Sequence, residues 1–223
     1  MRYKHPLICV EGIDCSGKFT IATYIADLLG GEVVSFPRYR TATGKLLLAH
    51  LKGEWGAIST TMCGEWTLDA PCQSLADMMV RQALMSVNRY EAQGELLAKL
   101  EERPVVLDRY SLSSEAYGAA EGLDPAWLRA IGEPLLKPDL TIILDLPPEL
   151  VAQRRPQARD RNERDLAKLR AARERYQTIF AEREGVEIVD ASEPLSIVKA
   201  MVRGWLIYYK IWNNPVAKGT SIP

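Results

Sequence analysis

Only 2 histidines and 4 cysteines occur in the 223 residues. Cys9, Cys15, Cys63 and Cys72 form no C-x-x-C pair, and His5 and His50 do not cluster with them, which argues against a zinc site. Sparse cysteines point to a reducing, cytoplasmic setting rather than a disulfide scaffold. Neither sign of charge is in excess: 28 basic side chains face 29 acidic ones, for a formal net charge of -1. Broad binding to nucleic acid is therefore not expected, and any affinity for phosphate must be local. No apolar run approaches the ~20 residues of a membrane-spanning helix. The opening MRYKHPLICVEG ends its apolar run in a glutamate without a signal-peptide cleavage pattern, so no membrane partner is expected.

Repeats and low-complexity segments are missing too, which leaves an ordinary α/β alternation to explain. The length suits one domain, here taken as 1–212 with an irregular tail over 213–223. Short runs rich in Val, Ile and Leu predict strands at Pro6–Val10, Glu32–Ser35, Val105–Leu107, Leu140–Leu144 and Val186–Val189. Longer amphipathic stretches predict helices at Lys18–Leu29, Lys45–Leu51, Ser74–Glu101, Pro125–Ile131, Pro148–Arg154, Arg164–Glu184 and Leu195–Tyr209. Such alternation implies a parallel five-stranded sheet flanked by helices in three layers. Residues 52–73 have no clear periodicity and read as an irregular insertion.

Gly12-Ile13-Asp14-Cys15-Ser16-Gly17-Lys18 matches G-x-x-x-x-G-K between a strand and a helix, the context a phosphate-binding loop (P-loop) requires. Its glycines let main-chain N–H groups converge on phosphate oxygens, the helix N-terminus adds partial positive charge, and Lys18 reaches the outer phosphates. The next position should carry a Mg²⁺-ligating hydroxyl but holds Phe19. Thr20 follows about 100° further round the helix, so it does not simply replace that hydroxyl. Either Mg²⁺ is held by water, nucleotide oxygens and other carboxylates, or activity is impaired.

Phosphoryl transfer also needs an acceptor site with cations. Arg38 or Arg40 after the second strand, and Arg109 at the end of the third, lie where ligands gather in an open parallel sheet, and an arginine fork suits phosphate. The residues do not choose between Arg38 and Arg40. Asp108 is either a Mg²⁺ and water organiser or the N-cap of the SLSSEAY segment.

Several segments together resemble the thymidylate kinase family. ICVEGIDCSGKFT is similar to its E-G-x-D opening, SFPRYRTATGKLL to its F-P-x-R segment, and SVNRYE to its N-R-x-E stretch. VVLDRYSLSSEAY is similar to the D-R-Y/H-x-x-S signature, KPDLTIILDLPPELVAQRR to the P-D-L strand leading into the lid, and RDRNE to the lid's D-R-x-E. The matches run from about Pro6 to Asp190. The resemblance implies a P-loop kinase fold with an arginine-rich lid over about 154–165, ATP as donor, Mg²⁺ as cofactor and dTMP as the acceptor. It implies small-molecule nucleotides as the partners and a homodimer as the assembly. Gly12 to Thr20 would bind ATP, and Lys18, Asp108 and Arg109 would act on the transferring group. Asp14 would meet the acceptor sugar's 3′-hydroxyl, Arg89 would read the base, and Phe36 would line the acceptor pocket.

Three departures accompany the resemblance. The family's arginine in the F-P-x-R segment lines up nearest Tyr39. Met85, one turn before Arg89, stands where the family often has a stacking aromatic, so Tyr117 is a candidate aromatic wall. Cys15 stands where some members keep a basic P-loop residue, which implies a lid-arginine type with Arg155, Arg159 and Arg161 as candidates. Two other readings stay open: a kinase for another or modified deoxypyrimidine monophosphate, and a catalytically weak nucleotide binder.

Overall fold

The computed structural model describes residues 2–54, 75–154 and 166–213. Five strands, β1 (Leu7–Gly12), β2 (Glu32–Ser35), β3 (Val105–Asp108), β4 (Leu140–Asp145) and β5 (Val186–Asp190), form one parallel sheet in the order β2-β3-β1-β4-β5. The helices are α1 (Lys18–Leu29), α2 (Ala42–Leu51), α3 (Leu75–Glu91), α4 (Gln93–Glu102), α5 (Ser111–Ala120) and α6 (Pro125–Gly132). They continue with α7 (Val151–Arg154), α8 (Leu166–Glu182) and α9 (Leu195–Tyr208). The parallel five-stranded sheet and its flanking helices agree with the architecture read from the alternation.

Side chains alternate across the central strand. Ile8 and Val10 enter one apolar cluster with Ile21, Ile25, Ala116, Tyr176 and Val202. Leu7 and Cys9 enter a second with Phe36, Leu96, Leu100, Val105 and Tyr110. Both faces of β1 are therefore covered, as its continuous apolar composition requires. The register matters more for function: Val10 and Ser35 lie beside Asp108, and Gly12 beside Leu144. The carboxyl ends of β1 to β4 thus meet at one edge, where an open α/β sheet has its ligand crevice.

Two elements differ from the pattern-based expectation. The single long helix over 74–101 is interrupted at Ala92. There the Arg89 carbonyl accepts from the Ala92 N–H at 3.1 Å and from the Gln93 side-chain amide at 2.6 Å. A side chain intruding into the i→i−4 ladder is a recognised cause of a helix break. Helix α5, expected after the D-R-Y segment from the N-cap alternative for Asp108 but not from an apolar run, is short and rich in Ser, Gly and Ala, so its periodicity is weak. Most of the 52–73 insertion and the tail from residue 214 onward lie outside the described residues.

Candidate active site

Strand β1 turns out of the sheet at Gly12, whose φ of +137° favours glycine and where an added Cβ would lie 2.5 Å from the Leu144 carbonyl oxygen. The chain runs through Asp14, Cys15 and Ser16 to Gly17, which precedes α1 in a left-handed conformation and gives it no side-chain cap. The first N–H groups of a 12-residue helix are therefore unclaimed by a cap, the arrangement that receives an anion. Lys18 folds back over the loop, and its Nζ donates to the Ile13 carbonyl at 2.7 Å. Burial, and after it the nearby Arg109 charge, lower the Lys18 ammonium to a pKa of about 8. The Ser16 hydroxyl is buried without a hydrogen-bond partner among the described residues. Phe19 is 61% exposed and Thr20 is exposed, so the phenylalanine occupies no pocket.

The D-R-Y segment closes on this loop from β3. Arg109 has φ +66°, its N–H bonds the Val10 carbonyl at 3.0 Å, and its guanidinium pairs with Asp14 Oδ1. Tyr117 on α5 completes the group: its hydroxyl donates to Asp14 Oδ2 at 2.9 Å and accepts the Asp14 N–H at 3.1 Å. The Arg109 guanidinium carbon lies 5.7 Å from the Tyr117 ring centroid. Burial opposes the Asp14 charge, but Arg109, Lys18 and the Tyr117 hydrogen bond outweigh it and hold the carboxyl below its usual range. Burial pushes the Tyr117 hydroxyl up, so it stays a donor to Asp14. Tyr117, read from sequence as an aromatic wall, is bound to the P-loop aspartate through its hydroxyl.

Asp108 accepts from the Ser35 hydroxyl at 3.2 Å through Oδ2, while its Oδ1 is buried without a hydrogen-bond partner among the described residues. It does not cap α5, whose N-cap is Tyr110 with no side-chain cap. Among the described residues no group of three or more His, Cys, Asp or Glu side chains converges as a metal cage. Mg²⁺ commonly keeps several waters and takes one or two carboxylates plus substrate phosphates. An orphaned carboxylate oxygen beside a phosphate loop fits that donor set.

On the other side of the crevice, a cis peptide joins Phe36 to Pro37, and Phe36 is buried against Tyr110 with ring centroids 5.5 Å apart. Arg38 pairs with Glu95 at 2.7 Å, while Arg40 is exposed. Asn88 of α3 ties down this loop: its Oδ1 accepts the Arg38 N–H at 2.8 Å and its amide donates to Thr41 and Thr43. Arg89 is buried, donates to Ser114 Oγ at 2.8 Å and leaves its Nε without a partner among the described residues. Burial lowers its proton affinity, and the Glu11 charge acts against that. Met85, one turn earlier, is half-buried. Arg155, Arg159 and Arg161 lie outside the described residues.

Three participants take roles that the local motifs do not assign, although Glu11 is the glutamate of the E-G-x-D opening and Arg154 begins the arginine-rich segment. Glu11, completely buried, accepts hydrogen bonds from Tyr110, Ser113 and Tyr176. Tyr176 belongs to α8 and lies 165 positions away along the chain, too far for any local pattern to link the two. Arg154 donates to the Cys15 carbonyl at 3.3 Å and to the Ala191 carbonyl, joining the P-loop to the turn after β5.

The thymidylate kinase family model matches residues 10–202. A thymidylate kinase of Arabidopsis thaliana is 30% identical over 88% of this chain and 69% of its own length. A probable thymidylate kinase of Archaeoglobus fulgidus is 33% identical over 88% of this chain and 92% of its own. A solved thymidylate kinase from Candida albicans superposes with a TM-score of 0.72 at 24% identity, covering 96% of this chain and 97% of that one, a likeness of fold. With a P-loop and a D-R-Y turn meeting at one sheet edge, and a family model spanning nearly the whole described fold, the chain belongs to the thymidylate kinase family of nucleoside-monophosphate kinases.

Proposed function

We propose that this protein transfers the γ-phosphoryl group of ATP to dTMP, releasing ADP and dTDP for deoxynucleotide synthesis. The observation that carries the reading is the convergence of Lys18, Asp14, Arg109 and Tyr117 beside the unpartnered Asp108 oxygen. An oxygen of the dTMP phosphate, already anionic, forms the new P–O bond as the bond to the β,γ-bridging oxygen breaks. No general base is needed, and catalysis is positioning plus charge stabilisation.

In this reading the P-loop N–H groups and Lys18 hold the donor phosphates, and Arg109 offsets charge on the transferring group. Asp14 orients the acceptor, Arg89 recognises its base, and Arg38 or Arg40 meets its phosphate. Asp108 would hold Mg²⁺, which would supply charge neutralisation for the transferring phosphates. The arginines at 155, 159 and 161 belong to a lid over about 154–165 within a single domain of 1–212, in a cytoplasmic enzyme. Exposed Leu46, Leu51, Leu75, Met79, Val80 and Val87 on α2 and α3 support a homodimer.

A coupled ADP-release assay over a panel of nucleoside monophosphates, with and without Mg²⁺, tests the reading. Mg²⁺-dependent turnover with dTMP is expected. Turnover with other acceptors but none with dTMP would reject it.

A further inference from the structure

Asp108 and Arg109 do not hold their own geometry. A left-handed φ is unfavourable at a side-chain-bearing residue, so the Arg109 turn needs outside support. Part comes from the sheet: the Arg109 N–H bonds Val10, and the Asp108 carbonyl accepts the Phe36 N–H, both at 3.0 Å. The next N–H, that of Tyr110, points into the interior, and Glu11 Oε1 receives it at 2.7 Å. The same oxygen takes the Ser113 N–H at 3.1 Å, doing for α5 what an N-cap side chain ordinarily does. Oε2 accepts from the Ser113 hydroxyl at 2.6 Å and from Tyr176 at 3.0 Å.

A completely buried carboxylate such as that of Glu11 is costly in lost hydration unless donors replace water. Five do so here, counting the Cys9 thiol at 3.9 Å, and Glu11 forms no ion pair with a lysine or arginine among the described residues.

We propose that Glu11 is a positioning residue for phosphoryl transfer: through the N–H groups of Tyr110 and Ser113 it pins the turn that aims Asp108 and Arg109 at the reacting phosphates. The inference rests on the reading of Arg109 as a group at the transferring phosphate. Small misplacements of such groups cost up to about a hundredfold in rate.

Three variants of the full chain decide the matter: Glu11→Gln, the double variant Ser113→Ala/Tyr176→Phe, and Arg109→Lys. Each is measured for kcat, for KM of ATP and dTMP, and for thermal midpoint. Glu11→Gln is expected to lower kcat by about tenfold to a hundredfold while KM for ATP changes by less than about threefold. The double variant keeps the carboxylate but removes two donors, and is expected to lower kcat by about threefold to tenfold with the same split. It decides alone if Glu11→Gln does not fold. Wild-type kcat in a folded Glu11→Gln or in the double variant, or a lowered midpoint with kcat per active site unchanged, overturns the positioning role while Arg109→Lys is impaired. Wild-type kcat in Arg109→Lys overturns the reading of Arg109, and the inference with it.

Discussion

At the scale of single residues, Lys18 carries the clearest consequence of burial. Its ammonium has a pKa of about 8, against 10.5 ordinarily. Burial disfavours the charged form, so between these two values the unfolded chain binds a proton that the folded one has lost, and stability rises with pH in that window. Nucleotide phosphates reverse the balance by pairing with the charged form. ATP binding at pH 8.5 is expected to draw in a proton and to weaken as pH rises further. Calorimetry in buffers of different ionisation enthalpy reads that uptake directly; binding heats independent of buffer would contradict it.

Phe19 sits nearby under a different logic. With 61% of its surface exposed it contributes little packing, and Phe19→Thr is expected to change stability by less than about 0.5 kcal/mol. A hydroxyl at that helix position is a usual Mg²⁺ ligand, so the substitution is expected to lower the Mg²⁺ concentration giving half-maximal turnover. A Mg²⁺ titration of both proteins measures it, and a fall in turnover would mean that the site is built around the phenylalanine.

At the scale of elements, the acceptor-side loop depends on how closely α2 approaches it. A Cβ at Gly44 would overlap the Arg38 carbonyl, and the Thr41 hydroxyl caps the helix through the Gly44 N–H at 3.2 Å. The loop lacks the slack to give way, because Asn88 binds it at Arg38, Thr41 and Thr43. Gly44→Ala is therefore expected to displace the Arg38 segment, raising KM for dTMP about tenfold or more while KM for ATP, read at the distant P-loop, stays near its original value. Equal changes in both KM values would point to general destabilisation. Helix α1 was legible in sequence to its last residue because Gly17 and Gly30 bracket it. The break at Ala92 was not, because it arises from the Gln93 side chain taking the Arg89 carbonyl.

At the scale of the whole molecule, β1 is packed on both faces and lies between β3 and β4. Ile8, with no exposed surface, is at its centre. Ile8→Ala is expected to cost about 2–5 kcal/mol. In a domain of this size each kcal/mol lowers the midpoint by about 2–4 °C. A thermal scan should show that loss in one transition, since the two clusters share the strand, and saturating ATP should recover part of it by binding only the folded form. Two separate transitions would show that the faces unfold independently.

Local chemistry alone determined much of this protein. Glycine spacing and Lys18 identified the phosphate loop, the apolar alternation identified a parallel sheet, and VVLDRY identified the second edge of the site, because each depends on residues close together in the chain. Tertiary structure decided the rest. It joined Asp14 to Arg109 and Tyr117, left Asp108 with one unclaimed oxygen, exposed Phe19 and buried Glu11 beneath the catalytic turn. Those outcomes depend on which distant donors meet each carboxylate once the sheet brings its strand ends together, and no periodicity along the chain encodes that meeting.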